Sequence, residues 1–345
     1  EDGSKRPLAI SCFEDKIVQA MVSKILTKIY EPMFLPCSYG FREDHSCHEA
    51  LRELKKHVHE KKDGAIVEID IRKYFNSIPH QPLMEILRKK ITDEKFLKLV
   101  EKLITMPTIE KGEEKRNECG SPQGSIISPI LANIYLDHVI DQWFNEISQS
   151  HMRGKTAMVR YADDMVFIFE RYDDAERFYR VLPKRLEKYG LQLHEEKSQI
   201  MKSGEYAITR AKENQEEVGS YKFLGFLCYW GKSRYGKWRL KLKSRSDRFT
   251  AKLKGLKEHL RVNRNTRNTG KFLEQISVAV KGWVNYHAIS DNERRVKSFL
   301  YKSRWLIYKW YNRRGGKRGI TWQRLLEVLK KIGFPYTFKV ASMFG

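Results

Sequence analysis

The sequence predicts an α+β chain in two or three packed units, and three observations predict it. Residues 65–71 and 158–169 show the period-2 alternation and turn punctuation of strands. The last third shows helical spacing instead: Phe249, Leu253, Leu256 and Leu260 follow i, i+4, i+7 and i+11, and Val296, Leu300, Ile307 and Trp310 form a second stripe within residues 294–311. Finally, 345 residues with 41% hydrophobic side chains supply more than one core, at about 150 residues per domain.

The same reading excludes several classes. The most apolar stretch, residues 126–136, is interrupted by Ser128, Pro129 and Asn133, well short of the roughly 20 residues a membrane helix needs. The first residues lack the charged start and apolar core of a secretory signal, so a soluble, cytoplasmic-type chain without a membrane partner is expected. Cys12, Cys37, Cys47, Cys119 and Cys228 are odd in number and never spaced C-x-x-C, so no disulfide framework is expected. His45, Cys47 and His48 crowd too tightly for a tetrahedral zinc.

Charge is unevenly placed. Residues 1–230 hold 36 basic and 37 acidic side chains, whereas residues 231–345 hold 30 and 6. A basic segment that also contains Trp238, Trp283, Trp305, Trp310 and Trp322 has the aromatics to fold, and so reads as a structured polyanion-binding domain rather than a basic tail. Arg245, Arg248 and Lys252 adjoin the first helical stripe, and Arg295, Lys302 and Lys309 recur every seven residues on the second. These six are candidate contacts to a phosphate backbone; taken singly, each stripe is equally a solvated helix face.

The two strands carry acids where strands normally do not. Ala65, Val67, Ile69 and Ile71 alternate to one face and leave Asp70 on the other, near the strand end. In the second segment two apolar runs flank a tight turn that presents Asp163 and Asp164 side by side. Neighbouring carboxylates repel, and a third beside them is tolerable only with a cation; oxygen-only ligands favour Mg2+ over zinc or copper. Two such ions about 3.5–4 Å apart activate a 3′-hydroxyl and steady a leaving pyrophosphate. The pattern suggests a polymerase palm; taken by itself, Asp-Asp at a turn is a weak signal, since turns are rich in Asp.

Around these acids the residues resemble the bacterial group II intron reverse transcriptase and maturase family. Tyr161-Ala162-Asp163-Asp164 is similar to the family's central box, and Glu68-Ile69-Asp70-Ile71-Arg72-Lys73-Tyr74-Phe75 to its first acidic strand. Gly120-Ser121-Pro122-Gln123-Gly124 resembles the nucleotide-pocket motif, Gly190-Leu191-Gln192-Leu193 leads to Glu196-Lys197-Ser198, and Phe223-Leu224-Gly225-Phe226 resembles the primer-grip hairpin. Upstream, Arg6-Pro7-Leu8 and Ser38-Tyr39-Gly40-Phe41-Arg42 are similar to fingers motifs, and Val280-Lys281-Gly282-Trp283 to the maturase thumb. All stand in the family's order.

The resemblance implies a right-hand polymerase: fingers over 1–64 and a second fingers part at about 90–120, a ferredoxin-like palm over 65–239, and an all-α thumb or maturase domain over 240–345. It implies that Asp70, Asp163, Asp164 and the Ile71 carbonyl hold two Mg2+ ions, for which Mn2+ substitutes, and that Lys197 acts as general acid. Lys5, Arg6, Phe75, Gln123 and Gly124 would border the dNTP, Phe75 as a steric gate against the ribose 2′-OH; Arg42 would contact nucleic acid. The plainer alternatives are a core Phe75, a backbone-capping Gln123, and surface charges at Lys5, Arg6 and Lys197. Implied partners are an RNA template, a DNA or RNA primer, structured intron RNA, and a partner protein or fused domain. The chain opens at Arg-Pro-Leu without the family's N-terminal extension and shows no HNH endonuclease, so a fragment or fused domain is expected. Two other readings are a reverse transcriptase recruited to CRISPR spacer acquisition or phage defence, and an RNA-binding splicing cofactor whose polymerase is secondary.

Overall fold

The first unit, Glu1–Val218, runs α1 (Phe13–Tyr30), α2 (Cys47–Glu60), β1 (Asp63–Ile69), α3 (Tyr74–Ser77), α4 (His80–Arg88), α5 (Glu94–Ile104), the hairpin β2 (Thr108–Glu110) and β3 (Glu113–Lys115), α6 (Ser128–Leu136), α7 (Gln142–Ser150), β4 (Thr156–Tyr161), β5 (Asp164–Phe169), α8 (Tyr172–Lys188), β6 (Gln199–Gly204) and α9 (Glu205–Glu213). The computed structural model describes residues 10–61, 63–110, 113–115, 119–120, 124–313 and 319–343. Among them, no helix is long and apolar enough to cross a membrane.

β4, β5, β1 and β6 form one antiparallel sheet in that order. With helices between β1 and β4 and α8 between β5 and β6, this is the split βαββαβ arrangement of a ferredoxin-like palm. The expected alternation in β1 is present, but the opposite face is covered too. Ala65, Val67 and Ile69 join Phe167, Phe169 and the α8 residues Phe178, Leu182 and Leu186 in one core. Ile66, Val166 and Ile168 are buried as well, because α2, with Leu51, Leu54 and Val58 inward, packs on β4, β5 and β6. That helix starts where Ser46 and Glu49 form a reciprocal capping box.

α6 is buried on every side, including Asn133, and runs directly into a π-helical turn, Asp137–Asp141, before α7. Such a turn inserts an extra residue and rotates the helix beyond it.

The second unit, Gly219–Gly345, holds the antiparallel meander β7 (Tyr221–Phe223), β8 (Phe226–Lys232) and β9 (Trp238–Ser244), then α10 (Ser246–Val262), α11 (Thr269–His287), α12 (Glu293–Asn312) and α13 (Trp322–Lys331). Compactness therefore divides the chain at 218/219 and not at 239/240, and the second unit is not all helical. The reason is local: β8 pairs along its whole length with β9, and Phe226 stacks on Tyr286 of α11. The helical stripes read from the sequence do face the core. Phe249 and Leu260 are buried, with Leu253 and Leu256 packed against them, and Val296, Leu300, Ile307 and Trp310 are buried on α12. Among the described residues, no cysteine is joined to another in a disulfide.

Candidate active site

Register brings the acids together. Ile69 pairs with Met165 across β1 and β5, and Tyr161 pairs with Asp164 across β4 and β5. The next position along β1, Asp70, therefore lies beside Asp164, at the roughly 5 Å spacing of adjacent strands, with Asp163 in the turn. The turn is the two-residue link Ala162-Asp163, and Ala162 has φ 56°, a left-handed conformation usually left to glycine.

The segment after α8 wraps Asp70. The Arg72 amide donates to the Gln192 carbonyl, Ile71 bridges Leu193, the His194 amide donates to the Asp70 carbonyl, and the Asp70 amide donates to Ser198 Oγ. This chain path sets Lys197 Nζ 3.3 Å from Asp70 Oδ2. The Ile71 side chain itself is core. Oxygen-only donors at one sheet end suit a hard divalent cation. Among the described residues, no three His, Cys, Asp or Glu side chains are arranged around one ion position.

Phe75 lies on α3, half buried, edge-on to Tyr74 at 5.5 Å and to the exposed Phe41 at 6.2 Å between ring centroids. Gly120 holds the neighbouring segment against α3: at φ 79°, a Cβ there would fall 2.6 Å from Asn76 Cα. Gly124 also has positive φ, 109°. The turn beyond it is tied to α1 through the buried Gln19, whose Oε1 accepts from Ser125 Oγ and from the Ile126 amide. Lys5, Arg6 and Gln123 lie outside the described residues.

A family model described as Reverse transcriptase (RNA-dependent DNA polymerase) matches residues 1–228. The chain belongs to the reverse transcriptase family. It is 39% identical over 150 residues to the group II intron-encoded protein LtrA of Lactococcus lactis subsp. cremoris, covering 43% of this chain and 24% of that protein. To protein YkfC of Escherichia coli (strain K12) it is 33% identical over 196 residues, 48% of this chain and 51% of that one. The chain thus spans about a quarter of LtrA and half of YkfC. Among solved structures, apo telomerase from Candida tropicalis superposes with a TM-score of 0.50 at 14% identity, covering 94% of this chain and 57% of that one, a likeness of fold. Catalysis in reverse transcriptases depends on divalent metal, and these enzymes use RNA templates.

Elsewhere in this reverse transcriptase chain the structure redistributes the expected contacts. Phe223, Leu224 and Phe226 of the hairpin between β7 and β8 are all buried, and only Gly225 at its turn is partly exposed. Arg42 is a correction. Its side chain is only 8% exposed, with Nε on Glu31 at 2.7 Å and Nη1 on the Leu35 and Ser38 carbonyls, so it braces the fingers loop and has no reach to a phosphate. Arg295 and Lys302 both lie over the Phe249 ring, where α10 meets α12, and Lys309 lies over Trp305. Arg245 is paired with Asp247, while Arg248 and Lys252 are exposed on α10.

Arg160, Asp141 and Asn133 are functional candidates that the sequence reading does not single out. Arg160 is fully buried one residue before the Tyr-Ala-Asp-Asp box, with Nε and Nη2 on the Asp141 carboxylate at 2.8 and 2.5 Å. Burial opposes its charge, but Asp141 outweighs burial and raises it; burial raises the Asp141 carboxyl and Arg160 pulls it back. A guanidinium keeps its proton in proteins, so the pair is ionic. A signal for Arg160 does exist in the sequence: a charge inside an apolar strand is the feature that singles out Asp70.

Proposed function

We propose that this chain is an RNA-directed DNA polymerase that extends a primer on an RNA template by metal-assisted phosphoryl transfer. The observation that carries it is the register that sets Asp70 beside Asp164, with Asp163 in the adjoining turn, on a ferredoxin-like sheet. Asp70, Asp163, Asp164 and the Ile71 carbonyl would hold two divalent ions, Mg2+ or Mn2+. When bound, such ions polarise the attacking hydroxyl and neutralise the leaving phosphate.

The chain's own residues do the rest. Lys197, 3.3 Å from Asp70, balances that carboxylate's charge and would pass a proton to a leaving pyrophosphate. Phe75, braced by Tyr74 and Phe41, walls the sugar side of the pocket and selects dNTPs by excluding a 2′-hydroxyl. Gly124 lets backbone approach the nucleotide, with Gln123, Lys5 and Arg6 beside it. The Leu224-Gly225 turn steadies the primer strand, and the basic faces of α10 and α12 track the template-primer backbone. That surplus of positive charge also favours a second role, binding structured intron RNA as a splicing maturase in a bacterial cytoplasm, the setting suggested by the relatives in Lactococcus and Escherichia.

Primer extension on an RNA template with Mg2+, comparing dNTPs with rNTPs, tests the proposal. Wild type extends with dNTPs; Asp163→Ala abolishes extension and leaves RNA affinity within about twofold. Near-wild-type synthesis by Asp163→Ala would sink the assignment.

A further inference from the structure

The Ala162-Asp163 turn is held from several sides by buried groups. Ala162 is buried at φ 56°, a conformation that costs a non-glycine residue about 1–3 kcal/mol and persists only where the surroundings over-determine it. Arg160 Nη1 donates to the Ala162 carbonyl at 3.3 Å and to Asn133 Oδ1 at 3.0 Å, while Nε and Nη2 are given to Asp141. Asn133 Nδ2 in turn donates to the Gly40 carbonyl at 2.6 Å.

Gly40 closes the other side. A Cβ at this position would lie 2.4 Å from the Ala162 amide nitrogen, so only glycine lets the fingers loop press on the turn. The same loop runs parallel to the edge of β4: the Tyr39 amide donates to the Arg160 carbonyl, and the Arg160 amide to the Cys37 carbonyl, both at 2.8 Å. Asp141 reaches Arg160 from the π-helical turn that succeeds α6, a distortion of the helix with no other evident use.

Arg160 and Asp141 are both 0% exposed. Burying an ion pair is expensive, and well-packed apolar residues commonly stabilise a fold as much or more, so the pair is poorly explained as a device for stability. We propose that Arg160, held by Asp141 and Asn133, is a positioning residue: it fixes the peptide of Ala162 and through it the orientation of the Asp163 and Asp164 carboxylates toward their ions. This rests on those aspartates binding metal, and it extends the active site to three side chains on α6, the π-helical turn and β4.

The variant that separates positioning from stability is Arg160→Met with Asp141→Leu, which removes both charges together. Four quantities are measured: template-primer affinity and, in the complex with template and primer, thermal unfolding, Mn2+ affinity by electron paramagnetic resonance titration, and single-turnover incorporation. The expected result is a melting temperature within a few degrees of wild type or above it, unchanged template-primer affinity, Mn2+ affinity weakened about 10-fold, and incorporation slowed about 100-fold. Should the double variant not fold, Arg160→Lys makes the same test, because a lysine keeps the pair with Asp141 but cannot also span Asn133 and Ala162. A folded variant of either kind with wild-type Mn2+ affinity and rate overturns the proposal. If wild type itself incorporates nothing, the polymerase reading fails, and the Mn2+ titration still decides the positioning role.

Discussion

Asp137 opens the π-helical turn that ends at Asp141, and its surroundings shift its carboxyl upward. Burial first, and then the Asp141 charge, push it up to about 6, against weaker opposition from the Gln142 hydrogen bond and Arg160. In the pH interval between the ordinary aspartate value and about 6 the native state binds more protons than the unfolded chain, so stability is highest below that interval and is lost as pH rises through it. Asp137→Asn removes the effect. Urea unfolding is expected to show the variant matching wild type near pH 4 and exceeding it by about 2–3 kcal/mol at pH 8; equal stability at pH 8 would contradict the burial argument. At this scale the acids are legible in the sequence because a carboxylate is conspicuous in an apolar strand. The role of Arg42 is not, since an arginine in a loop motif looks the same whether it faces a phosphate or, as here, Glu31 and two carbonyls.

The hairpin joining β7 to β8 is a two-residue turn in which Leu224 and Gly225 both have positive φ, 46° and 77°. Both central residues of a type I′ turn need that conformation, which glycine adopts freely and leucine does not. Tyr286 compensates from α11: its hydroxyl donates to the Leu224 carbonyl at 2.7 Å. Tyr286→Phe is therefore expected to lower the unfolding free energy by about 1 kcal/mol, and, if the turn steadies a primer, to shorten extension products more than it lowers template affinity. Tryptophan-monitored unfolding and product length on a long template check the two parts. Strands and amphipathic helices are legible because period-2 and period-3.6 patterns are written locally. The second face of β1 and the π-helical turn are not. The first depends on where α2 packs, and an extra residue inside an apolar helical run leaves no change of pattern to read.

Across the whole molecule, charge is segregated as the sequence indicates, and more sharply along the observed division: Gly219–Gly345 holds 31 basic and 6 acidic side chains, Glu1–Val218 holds 35 and 37. If nucleic acid is gripped by the second unit, affinity tracks counterion release from phosphates contacted there. Arg248→Glu with Lys252→Glu is expected to weaken RNA binding about 10-fold and to reduce the slope of log affinity against log salt by about 1–2, whereas Asp163→Ala leaves the slope unchanged. Fluorescence anisotropy at several salt concentrations measures both, and an unaltered slope in the double variant would remove α10 from the interface. The sheet order has a consequence for biosynthesis. β1 is made first yet lies in the interior of the sheet, where Ala65 must find Phe169 on one side and Lys202 on the other. A nascent chain leaving the ribosome therefore displays a strand with both edges open until β5 has emerged and one edge open until β6 follows, a slow, aggregation-exposed interval. Production of soluble protein should accordingly depend on translation speed and on chaperones that shield open strands.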